Sequence, residues 1–337
     1  MIKKIKLLLK WEAALILFLG LELLLFGWVS PGFLNVNNLL YSMNDFAYIA
    51  LAAIPMTFVI ITGGIDVSVG SVMGLSSITV GVLWMNDINI WIALLITLAI
   101  AMLAGFINGV LVAFTNVQPL VVTLGGMFLF SGIALVISGG SSASGYEGIS
   151  GFPDSFVELA NGQFLGIPNP IWMLIICMCL FGGLLHLTRY GRNVYLVGIN
   201  IKTARYSGIS TKWTVMSAYI LSGLGGGISG IILTSYFSSA RSDLGAEAVL
   251  PVITAVVLGG TSIFGGKGSV FGTAVASIVI GIMQYGLQMA NMSSQQTSVV
   301  IGFMLIVAVL LRNTDWQAFK ASIINLSGKS TTQFLKK

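Results

Sequence analysis

Charge is scarce in this 337-residue chain: 8% of its residues are Asp, Glu, Lys or Arg, where soluble domains carry about a quarter. A soluble enzyme of this length could not cover its surface with so few charged groups, so that class is excluded. Histidine occurs once, as His186, and cysteine twice, as Cys177 and Cys179. One histidine at the end of an apolar run cannot build a ligand cluster. The cysteines sit two apart on that same run, point to different helix faces, and read as inert packing thiols. A phosphate-cradling loop is missing as well. The nearest approach, Thr261 to Gly268, lacks the first glycine and the magnesium-binding hydroxyl. With no paired carboxylates either, the residues point to a protein that is not an enzyme and holds neither metal nor cofactor.

Apolar residues are what the chain has in excess, 56% of the total, with a mean hydropathy of +0.96. Disorder needs the opposite balance. Forty-one glycines without a G-X-Y period exclude collagen and suit packed membrane helices. The fold class is therefore an all-α polytopic membrane protein. A crossing helix needs about 20 mainly apolar residues, and ten runs qualify: 13–30, 46–62, 68–85, 90–114, 119–138, 170–188, 214–236, 249–263, 269–290 and 297–311. The first follows Lys3, Lys4, Lys6 and Lys10 without a small-x-small cleavage site, and reads as an uncleaved signal-anchor helix.

The net charge of +5 is a matter of orientation rather than of nucleic acid binding. With a cytoplasmic N-terminus, ten spans put 15 of the 16 basic residues inside and Arg241 alone outside, as the positive-inside rule requires. The division is then a cytoplasmic segment 1–12, a membrane domain 13–311 and a cytoplasmic tail 312–337. The loop 139–169 carries acids but no base, and is external. The segment 189–213 holds five bases and no acid, and is cytoplasmic. It is long for a bare connection. Its middle, Asn200 to Tyr206, reads as a short helix stopped by Ser207-Gly208, and the segment is a candidate docking element for a separate motor.

Two stretches share an order of residues. Residues 53–74 and 249–272 both run Pro, Gly-Gly, Gly-Ser-Val, Gly, which reads as an internal duplication with both glycine bends at the cytoplasmic face. Pairs at G-x-x-x-G spacing, Gly105 with Gly109, Gly223 with Gly227 and Gly226 with Gly230, mark faces of close helix packing. Glu22 is the one acid expected well inside a span; Asp45, Asp66, Asp87 and Asp243 are assigned to span ends and loops, which gives a proton relay little support. For a solute path, neutral amides suit a hydroxylated substrate. Gln284 and Gln288 share a helix face, Asn291 extends it, and Asn108 is a second buried amide. Packing hydrogen bonds are the competing use of all four.

The stretches GGIDVSVGS (63–71), RNVYLVGIN with ARYSGI (192–209) and AVVLGGTSIFGGKGSVFGTA (255–274) resemble the sugar-type, or ribose-type, permeases of ATP-binding-cassette (ABC) importers. The resemblance spans roughly residues 11–312. Residues 144–153, 235–246 and 286–290 resemble the branch of that family that imports autoinducer-2. The resemblance implies cytoplasmic ATPase subunits as partners, a second and different permease subunit, and a periplasmic solute-binding protein, with ATP held by the partner. It also implies that Gly198, Asn200, Ala204, Ser207 and Gly208 belong to the helix touching the ATPase, where Arg205 replaces a usual alanine. Tyr146-Glu147 and Arg241-Ser242-Asp243 would face the binding protein. From the residues alone, a gradient-driven carrier or channel stands beside the importer.

Overall fold

The computed structural model describes residues 2–115, 117–139 and 148–313, with side chains from Trp11 to Leu310. Among these, helix dominates: α1 (Ile2–Val29), α2 (Val36–Ile61), α3 (Val69–Met85), α4 (Ile90–Phe114), α5 (Pro119–Ile137), α6 (Asp154–Asn161), α7 (Asn169–Leu187), α8 (Arg189–Ile199), α9 (Ile201–Tyr206), α10 (Thr211–Phe237), α11 (Val249–Leu258), α12 (Val270–Met289) and α13 (Ser294–Asn313). The strands β1 (Gln163–Phe164) and β2 (Ile167–Pro168) form a small antiparallel hairpin. Each of the ten apolar runs holds a helix, though in 249–263 it ends at Leu258. Seven are long and apolar enough to cross a membrane: α1 from Trp11, α2, α4, α5, α7, α10 and α12. The other three are shorter in their apolar parts. The ten residues of α11 rise only about 15 Å, half of a hydrocarbon core.

The first helix starts at Ile2, ahead of the apolar run that begins at residue 13, and the Trp11 indole donates to Leu258 O at 2.8 Å. The supposed loop 139–169 is largely built structure from residue 148 on. Ile149 pairs with Ala240, and α6 lies on the end of α10, where Ser235 Oγ donates to Phe156 O at 2.7 Å. Tyr146, Glu147 and the tail from residue 314 lie outside the described residues.

The centre of the bundle is α2, apolar on all sides and buried for most of its length, as a fully surrounded helix must be. Pro55 interrupts its ladder, and the Pro55 ring rests 2.8 Å from where a Cβ on Gly225 of α10 would lie. Thr57 on α2 and Thr273 on α12 join through their hydroxyls at 2.9 Å. Around this centre, α1, α4, α5 and α7 turn exposed Leu17, Leu95, Phe128 and Leu180 outward, a surface suited to lipid.

The glycine pairs lie where backbones touch. A Cβ on Gly105 would overlap Tyr219 O, one on Gly109 would sit 2.7 Å from Met216 O, and one on Gly223 would overlap Ala101 O. Helix α10 therefore meets α4 at van der Waals range along one glycine seam. Its other flank presents Gly226 and Gly230 to α3. The turns before α11 fill a similar groove, since a Cβ on Gly70 or Gly74 would overlap Gly245 O or Ser242 O.

Candidate functional site

The acid-free segment after α7 folds as two short helices. Thr188 caps α8 by accepting from Gly191 N at 3.2 Å. The Asn200 side chain caps α9 by accepting from Lys202 N and Thr203 N, both at 3.0 Å. Ser207 ends α9 and Gly208 follows at φ +79°, a conformation open to glycine at little steric cost. The short helix expected at Asn200–Tyr206 is present, and α8 before it was not foreseen.

These helices sit on the two glycine bends. Gly266 N donates to Ile61 O at 2.8 Å, which ties the second bend directly to the end of α2. Gly198 of α8 closes over that bond: a Cβ there would overlap Ile61 O and lie 2.5 Å from Gly266 N. Tyr195 adds a third tie, its hydroxyl donating to Gly268 O at 2.7 Å. Burial pushes that hydroxyl up to about 12, so it stays a donor at neutral pH. The two glycine bends thus meet at one point, with α8 wedged against the bundle there.

The five residues carried over by resemblance, together with Arg205, divide between two sides. Gly198 and Ala204 face inward, Ala204 being buried. Asn200, Arg205, Ser207 and Gly208 are exposed. Beside them stand apolar side chains the sequence reading did not single out: Tyr206 at 91% and Ile199 at 67% exposure, with Leu196 and Ile201. Their signal was an amphipathic pattern too short to register as a helix. Arg192, Lys202 and Arg205 are exposed among them.

Asp66 lies between α2 and α3, at a span end as expected, and it is 2% exposed. Ser68 N and Oγ donate to its Oδ1 at 3.0 and 2.6 Å, and Ser222 Oγ of α10 donates to Oδ2 at 2.7 Å. The same cluster claims Asn108, whose Nδ2 donates to Ser68 Oγ at 2.8 Å, while Gly126 makes room for its amide. Thr123 of α5 donates to Ile65 O at 3.2 Å. Asn108 is thus held in a closed hydrogen-bonded cluster. Glu22 is buried in α1 as expected, its carboxylate without a hydrogen-bond partner among the described residues. Gln284 is half-buried on α12, and Gln288 and Asn291 are exposed at and just beyond its end.

Residues 38–309 match the family described as branched-chain amino acid transport system, permease component. The chain belongs to that permease family. Over 305 residues, 90% of this chain, the permease is 46% identical to the autoinducer 2 import system permease protein LsrD of Salmonella paratyphi B, and 92% of that protein is covered. Identity and coverage are the same for LsrD of Salmonella typhimurium and of Escherichia coli K12. No solved structure matches the permease. It is the membrane subunit of an ABC importer, a multi-pass protein of the inner membrane.

Proposed function

We propose that this permease carries autoinducer-2, or a related small sugar-like solute, inward across the cytoplasmic membrane, driven by separate ATPase subunits that dock on α8 and α9. The substrate follows the relatives at 46% identity. The observation that carries the motor's docking place is the wedge: an exposed apolar tip of Ile199 and Tyr206 amid bases, backed by Gly198 on the junction of both glycine bends. An apolar anchor with a charged rim is the make-up of a protein-binding patch. The backbone ties behind it carry a push into α2, α11 and α12 together.

In this reading both termini are cytoplasmic, ten helices make up the membrane domain 13–311, and 139–169 faces outward toward a periplasmic binding protein, with Arg241 and Asp243 paired nearby. Gln284, Gln288, Asn291 and Asn108 are the chain's candidate substrate-path residues, and a second, different permease subunit is its partner. ATP stays on the partner, and the chain itself is no enzyme. Reconstitution tests the proposal. Vesicles holding both permeases should accumulate autoinducer-2 only with the ATPase, the binding protein and ATP; accumulation by the permeases alone under an ion gradient would overturn it in favour of a secondary carrier.

A further inference from the structure

An open cavity of about 450 Å³ lies where the N-terminal part of α2, the end of α6, the end of α10 and α12 come together. On the proposed orientation this is the external face, so the inference rests on that reading and deepens it. Asn44 contributes a buried wall, 8% exposed, and its Oδ1 has no hydrogen-bond partner among the described residues. An amide oxygen buried without a partner is unfavourable, and a hydrogen-bond donor reaching it from the cavity would relieve that.

The other polar groups repeat that preference. Asn161 uses its amide nitrogen on Val157 O, Ser235 O and Tyr236 O at 3.2, 3.1 and 3.3 Å, and Asn38 uses its own on Gly32 O at 3.2 Å. Their oxygens are the amide atoms left to face a ligand. Asp45 adds a carboxylate that accepts from the Tyr236 hydroxyl. The cavity is rich in acceptors, and its flat faces come from Tyr41, Tyr236 and Tyr285.

We infer that this cavity is a binding site on the permease itself for a small, neutral, polyhydroxylated ring, held there before it crosses. Hydroxyl groups supply the donors that Asn44, Asn38, Asn161 and Asp45 lack, while the tyrosine rings cover the ring's C–H faces. A primary amine is the rival class, since a carboxylate among aromatic rings also suits a cation.

Asn38 is exposed at the rim, which gives a probe. In the assembled importer, Asn38→Cys should react with a membrane-impermeant maleimide added outside, and saturating autoinducer-2 should slow that reaction at least fivefold while ethanolamine does not. Protection by ethanolamine alone would overturn the assigned class, and no protection by either would overturn the site. Asn44→Leu and the shape-preserving Asp45→Asn should each lower solute moved per ATP at least tenfold. Undiminished transport in Asp45→Asn and in a folded Asn44→Leu protein would show that the cavity takes no part. If wild-type vesicles fail to import at all, the importer reading fails, and the maleimide protection still decides the cavity.

Discussion

Gly109→Ala is the sharpest test of the seam between α4 and α10. The new Cβ would lie 2.7 Å from Met216 O, 3.0 Å from Met216 Cα and 3.1 Å from Tyr219 Cβ, where ordinary contact starts near 3.4 Å. Two of these neighbours are backbone atoms, which cannot rotate away, so α10 must retreat by roughly 0.7 Å, an overpacking that costs about 1–3 kcal/mol. Alanine's better helix propensity returns about 1 kcal/mol. The retreat also stretches the Ser222 to Asp66 bond two turns along α10, and loosening a bond to a buried carboxylate costs about 1–3 kcal/mol. The net expectation is a loss of about 1–5 kcal/mol. Gly132→Ala on α5 is the control, because nothing lies within 4 Å of its Cβ; it should be neutral or up to about 1 kcal/mol more stable. Thermal unfolding in detergent, followed by size-exclusion recovery, should move the two midpoints in opposite directions. A Gly109→Ala midpoint equal to or above that of Gly132→Ala would refute the seam.

Gly198→Val should insert normally yet lose uptake, because its side chain forces α8 off Ile61 and Gly266; Gly208→Trp, with open space around it but φ at +79°, should lose ATPase association as well. Survival of association and uptake in Gly208→Trp would reduce the segment to a plain connection. Asp66→Asn puts a donor against Ser222 or Ser68 hydroxyls that now donate, and should lower stability by about 1–3 kcal/mol; a wild-type melting midpoint would mean the cluster contributes nothing. Changing Gln284 and Gln288 together to leucine keeps volume and insertion, and autoinducer-2 uptake should fall at least tenfold with ATPase binding intact. Full uptake in that double variant would leave the glutamines as packing residues.

The long apolar runs were legible because the bilayer imposes a length and a composition on them, and seven of the ten became helices long and apolar enough to cross a membrane. The glycine spacing told which faces come close but not whose backbone they meet: Gly105 and Gly223 turn out to face one another across a single seam. Asp66 lies in the loop where the sequence put it, but its burial was not legible there, since loops usually run over the surface. Its burial is decided by Ser222, 156 positions away, and by α5. Asn108 shows the same limit, since an amide in a helix looks alike whether it meets solute or Ser68. The helix α8 escaped notice because its stripe of Val194 and Val197 is short and its polar face is dense with arginine, asparagine and tyrosine.

The short helix α11 has a consequence for the lipid around it. Ten residues cover only half the thickness of an apolar layer, and the chain enters α11 through the turns at 241–248. Backbone amides in such turns have no helical ladder, and hydrocarbon offers them nothing, so protein must cover them. The groove left by Gly70 and Gly74 on α3 is that cover. Amide exchange at Ala246 and Ala248, whose nitrogens donate to Asp243 O and Gly245 O at 3.0 and 2.9 Å, thereby becomes a gauge of how often α3 lifts away. A transport cycle that parts these elements should quicken exchange there during turnover, while the amides of α2 stay slow.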